Sequence, residues 1–241
     1  MTSSSSKLSY REDMGVIRLS ASEIARQIAE GLLSSQEVVE AHIRRIEAVN
    51  PRLNAVVVPL FDQARAEASR ADHMRRQGML VGPLHGLPIT LKEQFMVVGT
   101  PSTVGLMSHK STLMEREGPL VKRLRQAGAI VVAKTNASQL LLSLSGSCEN
   151  PVYGRTNNPW DLTRSPGGSS GGEAAIIAAG GSPLGLGGDN GGQHSYPRTF
   201  LWPVQLAPHG QKIDQSRYGS LCRDCRAGNH GCPTLSDCPK R

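Results

Sequence analysis

The chain has 241 residues, enough for one large domain or two small ones, and its 38% hydrophobic and 20% charged residues are ordinary for a globular protein. The formal net charge is +7, but no Lys/Arg run with interleaved aromatic residues occurs, which argues against a nucleic-acid binder. Apolar runs are far shorter than the ~20 residues that span a bilayer, and residues 1–7 do not resemble a secretory signal, so we expect no membrane span and a cytoplasmic protein.

The first predicted elements are two helices behind a loose leader of residues 1–15. Two serines each stand three residues before a glutamate, which is the spacing of a helix-capping box, and apolar residues follow at helical intervals. These residues are Ser20 and Glu23 with Ile24, Ile28 and Leu32, and Ser34 with Glu37. We expect the second helix to end at Pro51, because proline disrupts a helix interior.

Strand and helix patterns then alternate, which predicts one α/β domain over residues 16–192. Runs of β-branched and apolar residues predict strands over 54–60, 86–93 and 129–133. Amphipathic stretches predict helices over 61–78 and 119–128, and a small-residue helix begins near Glu173. Residues 157–172 are rich in Asn, Pro, Ser and Gly and are predicted to form a loop.

Residues 193–241 form an atypical tail that is rich in Cys, Pro and Arg and shows no helix or strand pattern. Side chains of the types that bind zinc are Cys222, Cys225, Cys232, Cys238 and His230. Their spacing is irregular and few apolar residues surround them, which argues against a zinc knuckle. We therefore expect no metal site.

The segment Ser165–Glu173 combines paired glycines with two serines, and the predicted small-residue helix follows directly. Glycines let the backbone approach a ligand closely, and a helix N-terminus favours negative charge. A flexible linker has a similar composition. Composition alone therefore leaves a ligand loop and a linker as alternatives.

Several ordered motifs resemble those of the amidase-signature family. The matching stretches are Gly82–Ile89, Lys92, Thr135-Asn136, Asn150–Gly154, Asn157–Trp160 and Gly167–Asp189, which reads GGSSGGEAAIIAAGGSPLGLGGD. The resemblance runs from about Leu19 to Gly192. It implies an α/β fold in which helices surround a mixed β-sheet, with this chain carrying roughly the first half as a truncated form.

The resemblance implies hydrolysis of carboxylic amides by a Ser–cis-Ser–Lys triad, without a cofactor. Lys92 matches the family's general base, and its apolar strand is expected to desolvate the amine and lower its pKa. Ser169 matches the serine that follows a cis peptide bond and relays the proton. The other implied site residues are Asn190, Gly191 and Gly192, whose main-chain N–H groups form the oxyanion hole, and Ser143, a candidate pocket-lining residue.

The position of the nucleophile departs from the family pattern. The family spacing places that serine 24 residues after Ser169, where this chain has Gln193. Glutamine has no oxygen able to form an acyl-enzyme. Ser195 lies two residues further on, too far for an attack that needs ~3 Å geometry. The resemblance therefore implies an amidase that has lost its activity.

The sequence of residues 193–241 suggests a cause for the missing serine. Codons permitted from position 193 onward also spell Ser-Ile-Arg-Ile-Pro one base out of frame, a run similar to the family's continuation. We therefore predict that one inserted base near the Gly192 codon shifted the frame, and that unpaired sheet edges lower the solubility of the product.

Two alternatives stay open: an amidase still active through another nucleophile or a partner chain, and a non-enzymatic binding or regulatory module. The expected partner is a small-molecule amide whose identity the sequence does not give. A homo-oligomer is compatible with the sequence.

Overall fold

The computed structural model describes residues 13, 15–143 and 146–188, and the backbone of residues 204–205 and 220–223. The helices are α1 (Ala21–Glu30), α2 (Ser35–Leu53), α3 (Phe61–Arg76), α4 (Pro119–Gln126) and α5 (Gly171–Ala178). The strands are β1 (Val56–Pro59), β2 (Pro88–Lys92), β3 (Ile130–Thr135), β4 (Glu149–Asn150), β5 (Gly154–Arg155), β6 (Leu184–Gly187), β7 (Val204–Gln205) and β8 (Ser220–Arg223). Two 3₁₀ turns cover Met107–His109 and Gln139–Leu141.

Six of the strands form one mixed sheet in the order β1-β3-β2-β6-β8-β7. The central strands β3, β2 and β6 are parallel to one another, while β1, β8 and β7 each pair antiparallel with their neighbours. Every residue of β2, β3 and β6 is buried, as parallel strands covered on both faces require. The α/β fold with a mixed sheet and surrounding helices is therefore confirmed.

Two apolar clusters lie on opposite faces of this sheet because β3 alternates between them. Ile130 and Val132 belong to a cluster with α2, α3 and α5, whereas Val131 belongs to a cluster with α1, α4 and β2. Burying both faces of the sheet supplies most of the favourable free energy of such a fold. Helix α5 is itself buried almost throughout, so the residues at its start are held rigidly against the sheet.

The helix boundaries correct two expectations. Helix α2 does not end at Pro51 but continues to Leu53, and Asn54 caps it in the left-handed conformation. A proline in the last turn removes only one N–H donor, which is tolerated where other bonds close the helix. Leu32 is not part of the buried stripe of α1, because that helix ends at Gly31 and the Leu32 side chain is 66% exposed.

The capping boxes differ from each other. Ser34 and Glu37 form the complete reciprocal box at the start of α2. At the start of α1 the Ser20 hydroxyl accepts from the Glu23 N–H, whereas the Glu23 carboxylate accepts from Arg26.

The two ends of the chain also depart from expectation. Asp13, in the predicted loose leader, accepts hydrogen bonds of 2.7 and 2.5 Å from Arg44 of α2. The prediction that no strand follows residue 192 is wrong. Strands β7 and β8 join the main sheet, and β8 pairs with the edge of β6. Such pairing uses backbone groups and therefore demands little of the side-chain pattern.

No helix in the described part of the chain has the length and hydropathy of a membrane span.

Candidate active site

A buried lysine stands at the carboxyl end of β2. Lys92 is 1% exposed, and its Nζ lies 2.6 Å from Ser169 Oγ and 3.5 Å from the carbonyl oxygen of Gly188. Because Thr90 and Lys92 are two residues apart on one strand, both side chains lie on the face that α5 covers. The fold thus brings together Lys92 and Ser169, which are 77 residues apart in sequence.

The peptide bond between Gly168 and Ser169 is cis, in agreement with what the family resemblance implies for this serine. The neighbouring Gly167 has a φ of +84°, a conformation that glycine adopts at little cost. A Cβ at Gly168 would lie 2.6 Å from three oxygens, the hydroxyls of Ser138 and Ser143 and the carbonyl of Ser147. The glycines are therefore needed because the loop runs through a crowded polar site.

The next serine ties this loop to the end of β6. Ser170 Oγ donates to the carbonyl oxygen of Gly188 at 3.2 Å, and the N–H of Gly188 lies 3.3 Å from the same hydroxyl. Ser170 was not among the predicted site residues, although it stands beside Ser169 in the motif. Its contacts fix where the chain leaves β6 toward the expected oxyanion hole.

Ser143, the predicted pocket-lining residue, lies against the loop that carries Ser169, and its hydroxyl is used internally. Ser143 Oγ donates to the carbonyl of Ser147 at 2.9 Å, and Ser138 Oγ donates to the same oxygen at 2.7 Å. The Ser138 N–H also donates to the Ser169 carbonyl at 3.2 Å. Both serines therefore support the loop that carries Ser169.

A fully buried glutamate enters the site from α5. Glu173 accepts from Thr90 Oγ1 at 2.6 Å and from Thr135 Oγ1 at 2.8 Å. Burial raises the pKa of Glu173 to about 8, while the two threonine hydroxyls and the charge of Lys92 act in the opposite direction. The sequence predicts Glu173 at a helix start but indicates no role for it in the site. Its signal was an acidic residue inside an otherwise apolar, small-residue helix.

The residue after Lys92 organises a loop beside the site. Glu93 is 1% exposed, and its carboxylate accepts from the backbone N–H groups of Thr103 at 2.5 Å and Val104 at 3.1 Å. The hydroxyl of Tyr153 lies 3.4 Å from the same carboxylate. Neither the sequence pattern nor the motifs singled out Glu93, which follows the apolar strand without a break.

The expected oxyanion-hole residues Asn190, Gly191 and Gly192, and the nucleophile position Gln193, lie outside the described residues. So do the side chains of the tail cysteines. In residues 15–143 and 146–188, no group of three or more His, Cys, Asp or Glu side chains is placed to bind a metal ion. The described geometry is thus that of a buried Lys–Ser pair with its supporting loops.

The chain is similar in sequence to several characterised proteins. It is 43% identical to indoleacetamide hydrolase of Bradyrhizobium diazoefficiens, over 80% of this chain and 37% of that protein. It is 39% identical to one of the subunits of glutamyl-tRNA(Gln) amidotransferase of Streptomyces coelicolor, over 86% of this chain and 41% of that protein. The chain therefore spans about two-fifths of the length of these relatives.

Solved structures give the same result. Fatty acid amide hydrolase superposes with a TM-score of 0.75 at 34% identity, over 79% of this chain and 33% of that one. Peptide amidase from Stenotrophomonas maltophilia superposes with a TM-score of 0.71 at 31% identity, over 77% of this chain and 39% of that one. The Amidase family model matches residues 37–196, more than half of the sequence. Together with the fold and the Lys92–Ser169 pair, these matches show that the chain belongs to the amidase family, whose members include the amidase-signature enzymes.

Proposed function

We propose that this chain carries the proton-relay half of an active site that hydrolyses the C–N bond of small carboxylic amides. The observation that carries the proposal is the 2.6 Å contact between Lys92 Nζ and Ser169 Oγ inside the protein. An amine held against a hydroxyl out of water can act as a general base toward it. The names of the relatives, which include an indoleacetamide hydrolase and a fatty acid amide hydrolase, support amides as the substrate class.

In the proposed mechanism the free amine of Lys92 accepts the hydroxyl proton of Ser169. At the same time Ser169 Oγ accepts the proton of a nucleophilic hydroxyl. The nucleophile attacks the amide carbonyl, and the oxyanion accepts hydrogen bonds from main-chain N–H groups of Asn190, Gly191 and Gly192. The relay then returns a proton to the leaving amine. Departure of the amine produces an acyl-enzyme, which water hydrolyses. Ser143 belongs to the wall on the acyl side.

We further propose that the 241-residue chain does not complete this reaction, because Gln193 stands at the nucleophile position. A carboxamide side chain cannot form an acyl ester. The family match ends at residue 196, shortly after Gly192, which supports a shift of the reading frame at that point. Sequencing the gene around the Gly192 codon tests the frameshift. If the frame one base out does not encode Ser-Ile-Arg-Ile-Pro after the Gly192 codon, the frameshift is contradicted.

Activity is tested with an aryl amide and with a fluorophosphonate probe that labels activated serines. We expect the purified chain to hydrolyse the amide no faster than its Lys92→Ala variant, since loss of a triad nucleophile costs on the order of a million-fold in rate. Lys92-dependent turnover, or a probe adduct in the peptide from Asn190 to Ser195, would show that another nucleophile or a partner chain completes the site.

The relay itself is tested separately by installing the missing hydroxyl. The Gln193→Ser variant should acquire probe labelling, and adding Lys92→Ala or Ser169→Ala should abolish it. Ser111→Ala is the matched serine control, because it removes an exposed hydroxyl and should keep the labelling. If Gln193→Ser is labelled equally with and without Lys92, the assignment of Lys92 as general base is wrong.

A further inference from the structure

Glu173 occupies a slot that is formed by three strands. Its two carboxyl oxygens lie 2.6 Å from Thr90 Oγ1 of β2 and 2.8 Å from Thr135 Oγ1 of β3. The floor of the slot is Gly185 of β6, where a Cβ would lie only 2.0 Å from Glu173 Oε2. The space for the carboxyl therefore depends on a residue without a side chain.

This environment differs from that of the other buried acidic side chains in the described residues, Asp72 and Glu93. Asp72 accepts from two backbone N–H groups at the start of α2, and Glu93 accepts from those of Thr103 and Val104. A backbone N–H can only donate a hydrogen bond. Glu173 has hydroxyl partners, and a hydroxyl can either donate or accept.

The slot also suits the protonated acid. Thr135 Oγ1 lies 3.4 Å from the carbonyl oxygen of Leu91 in addition to its contact with Glu173. A protonated Glu173 can therefore donate to Thr135 Oγ1 while the Thr135 hydroxyl donates to Leu91. The same positions of the heavy atoms satisfy both protonation states, which a site built for an anion does not do.

The titratable groups around the slot come from β2, from the segment just before β4 and from α2. Burial raises the pKa of the Glu173 carboxyl to about 8, and the ammonium form of Lys92 on β2 acts in the opposite direction. Near the start of α5, Cys148 contributes a thiol whose pKa burial also raises. At the other end of the helix, His42 and Arg45 of α2 contact the carbonyls of Gly180 and Ala179; β6 contributes no titratable side chain.

We propose that Glu173 is a positioning residue that carries a proton at neutral pH, so that a neutral acid and not a carboxylate lies beside the Lys92–Ser169 pair. The consequence rests on the function proposed for that pair. A buried carboxylate would stabilise the ammonium form of Lys92, whereas a general base has to be the free amine. A neutral Glu173 therefore does not stabilise the ammonium form of Lys92 against the free amine that the proposed relay needs.

The proton is detected by infrared spectroscopy on the 241-residue protein, because a protonated carboxyl has a C=O band that an ionised one lacks. We expect a buried-acid band near neutral pH that shifts on labelling with ¹³C-glutamate and disappears between about pH 6 and pH 10. The band should be missing in Glu173→Gln. Its absence from the wild-type protein at neutral pH, or its persistence in a folded Glu173→Gln variant, would overturn the proposal.

A second pair of variants tests the slot without altering Glu173. Thr90→Val removes a donor to the ionised form and should raise the midpoint of the band by about one pKa unit, whereas Thr90→Ser keeps the hydroxyl and should leave it within a few tenths. Equal midpoints in both folded variants would contradict the proposed role of the slot. These readouts need neither a nucleophile nor turnover, so their failure is distinguishable from failure of the proposed amide hydrolysis.

Discussion

Lys134 is a second buried lysine of the sheet, and it is used differently from Lys92. It follows Ala133 on β3 and is fully buried. Its Nζ donates to Ser102 Oγ at 2.9 Å, to Thr100 Oγ1 at 3.3 Å and to the carbonyl of Pro101. These bonds tie the loop before Thr103 to the end of the central sheet. Glu93 binds the backbone of Thr103 from the other side. Lys134 therefore has a structural part in shaping the surroundings of the site.

Lys134 should make the free energy of unfolding depend on pH in the alkaline range. Burial lowers the pKa of Lys134 from 10.5 to about 8, although Glu93 acts in the opposite direction. Between these two pH values the unfolded chain binds a proton that the folded chain has lost, so the free energy of unfolding should rise with pH. The slope from one such group is at most about 1.4 kcal/mol per pH unit.

The measurement is urea unfolding at half-unit steps from about pH 7 to pH 10.5, on the wild-type protein and on Lys134→Met. The difference in unfolding free energy between the two should change in favour of the wild type as the pH rises. Any constant cost of losing the hydrogen bonds cancels in this slope. A pH-independent difference would show that Lys134 keeps its ordinary pKa in the folded state.

The contact between α5 and β6 depends on a glycine in the strand. A Cβ at Gly185 would lie 2.0 Å from Glu173 Oε2 and 3.0 Å from Ile177 Cδ1. Glu173 cannot swing aside freely because Thr90 and Thr135 hold both of its oxygens. We therefore expect Gly185→Ala to lower the unfolding free energy by about 1–3 kcal/mol through overpacking.

A double-mutant cycle identifies the origin of that loss. In a Glu173→Ala background the added methyl group meets no carboxyl, so Gly185→Ala should cost clearly less there than in the wild type. Gly15→Ala is the glycine control, since a Cβ at Gly15 meets no atom of the described residues within 4 Å. Additive costs in the cycle would place the strain elsewhere.

Local patterns predicted the elements better than their ends. The strand from Pro88 to Lys92 is apolar and β-branched, and it forms where expected. The end of α2 was misplaced because Pro51 breaks a helix only when it lies in the interior, and the closing contact of Asn54 with Asn50 has no clear sequence signature. Exposure of Leu32 depends on where Gly31 ends the helix, which periodicity alone does not fix.

The site was predictable only as far as the family motif reached. Lys92 and Ser169 were predicted because they match motif positions, and the fold places their side chains 2.6 Å apart. Glu173 was missed because its partners, Thr90 and Thr135, come from two strands that are distant in sequence. Threonine in a buried strand ordinarily indicates β-propensity alone. Only the register of β2 against β3 shows that the two hydroxyls converge on one carboxyl.

The pairing of strand β6 bears on the solubility of the whole protein. Low solubility was predicted on the premise that strands stay unpaired, but β8 pairs with all four residues of β6 and is itself paired with β7. An uncovered parallel strand offers a row of free N–H and C=O groups to other chains. The tail segment that supplies β8 is therefore expected to keep the protein from aggregating.

Breaking β8 by a single substitution tests this expectation in the full chain. Leu221 pairs with Leu186, and a proline there removes an N–H donor within a strand that has neighbours on both sides. Leu221→Pro should increase the aggregated fraction in light scattering and shift elution in size-exclusion chromatography toward larger species. Leu221→Val, which preserves strand propensity, should behave as the wild type. If Leu221→Pro stays as monodisperse as Leu221→Val, the edge of β6 is protected by something other than the tail.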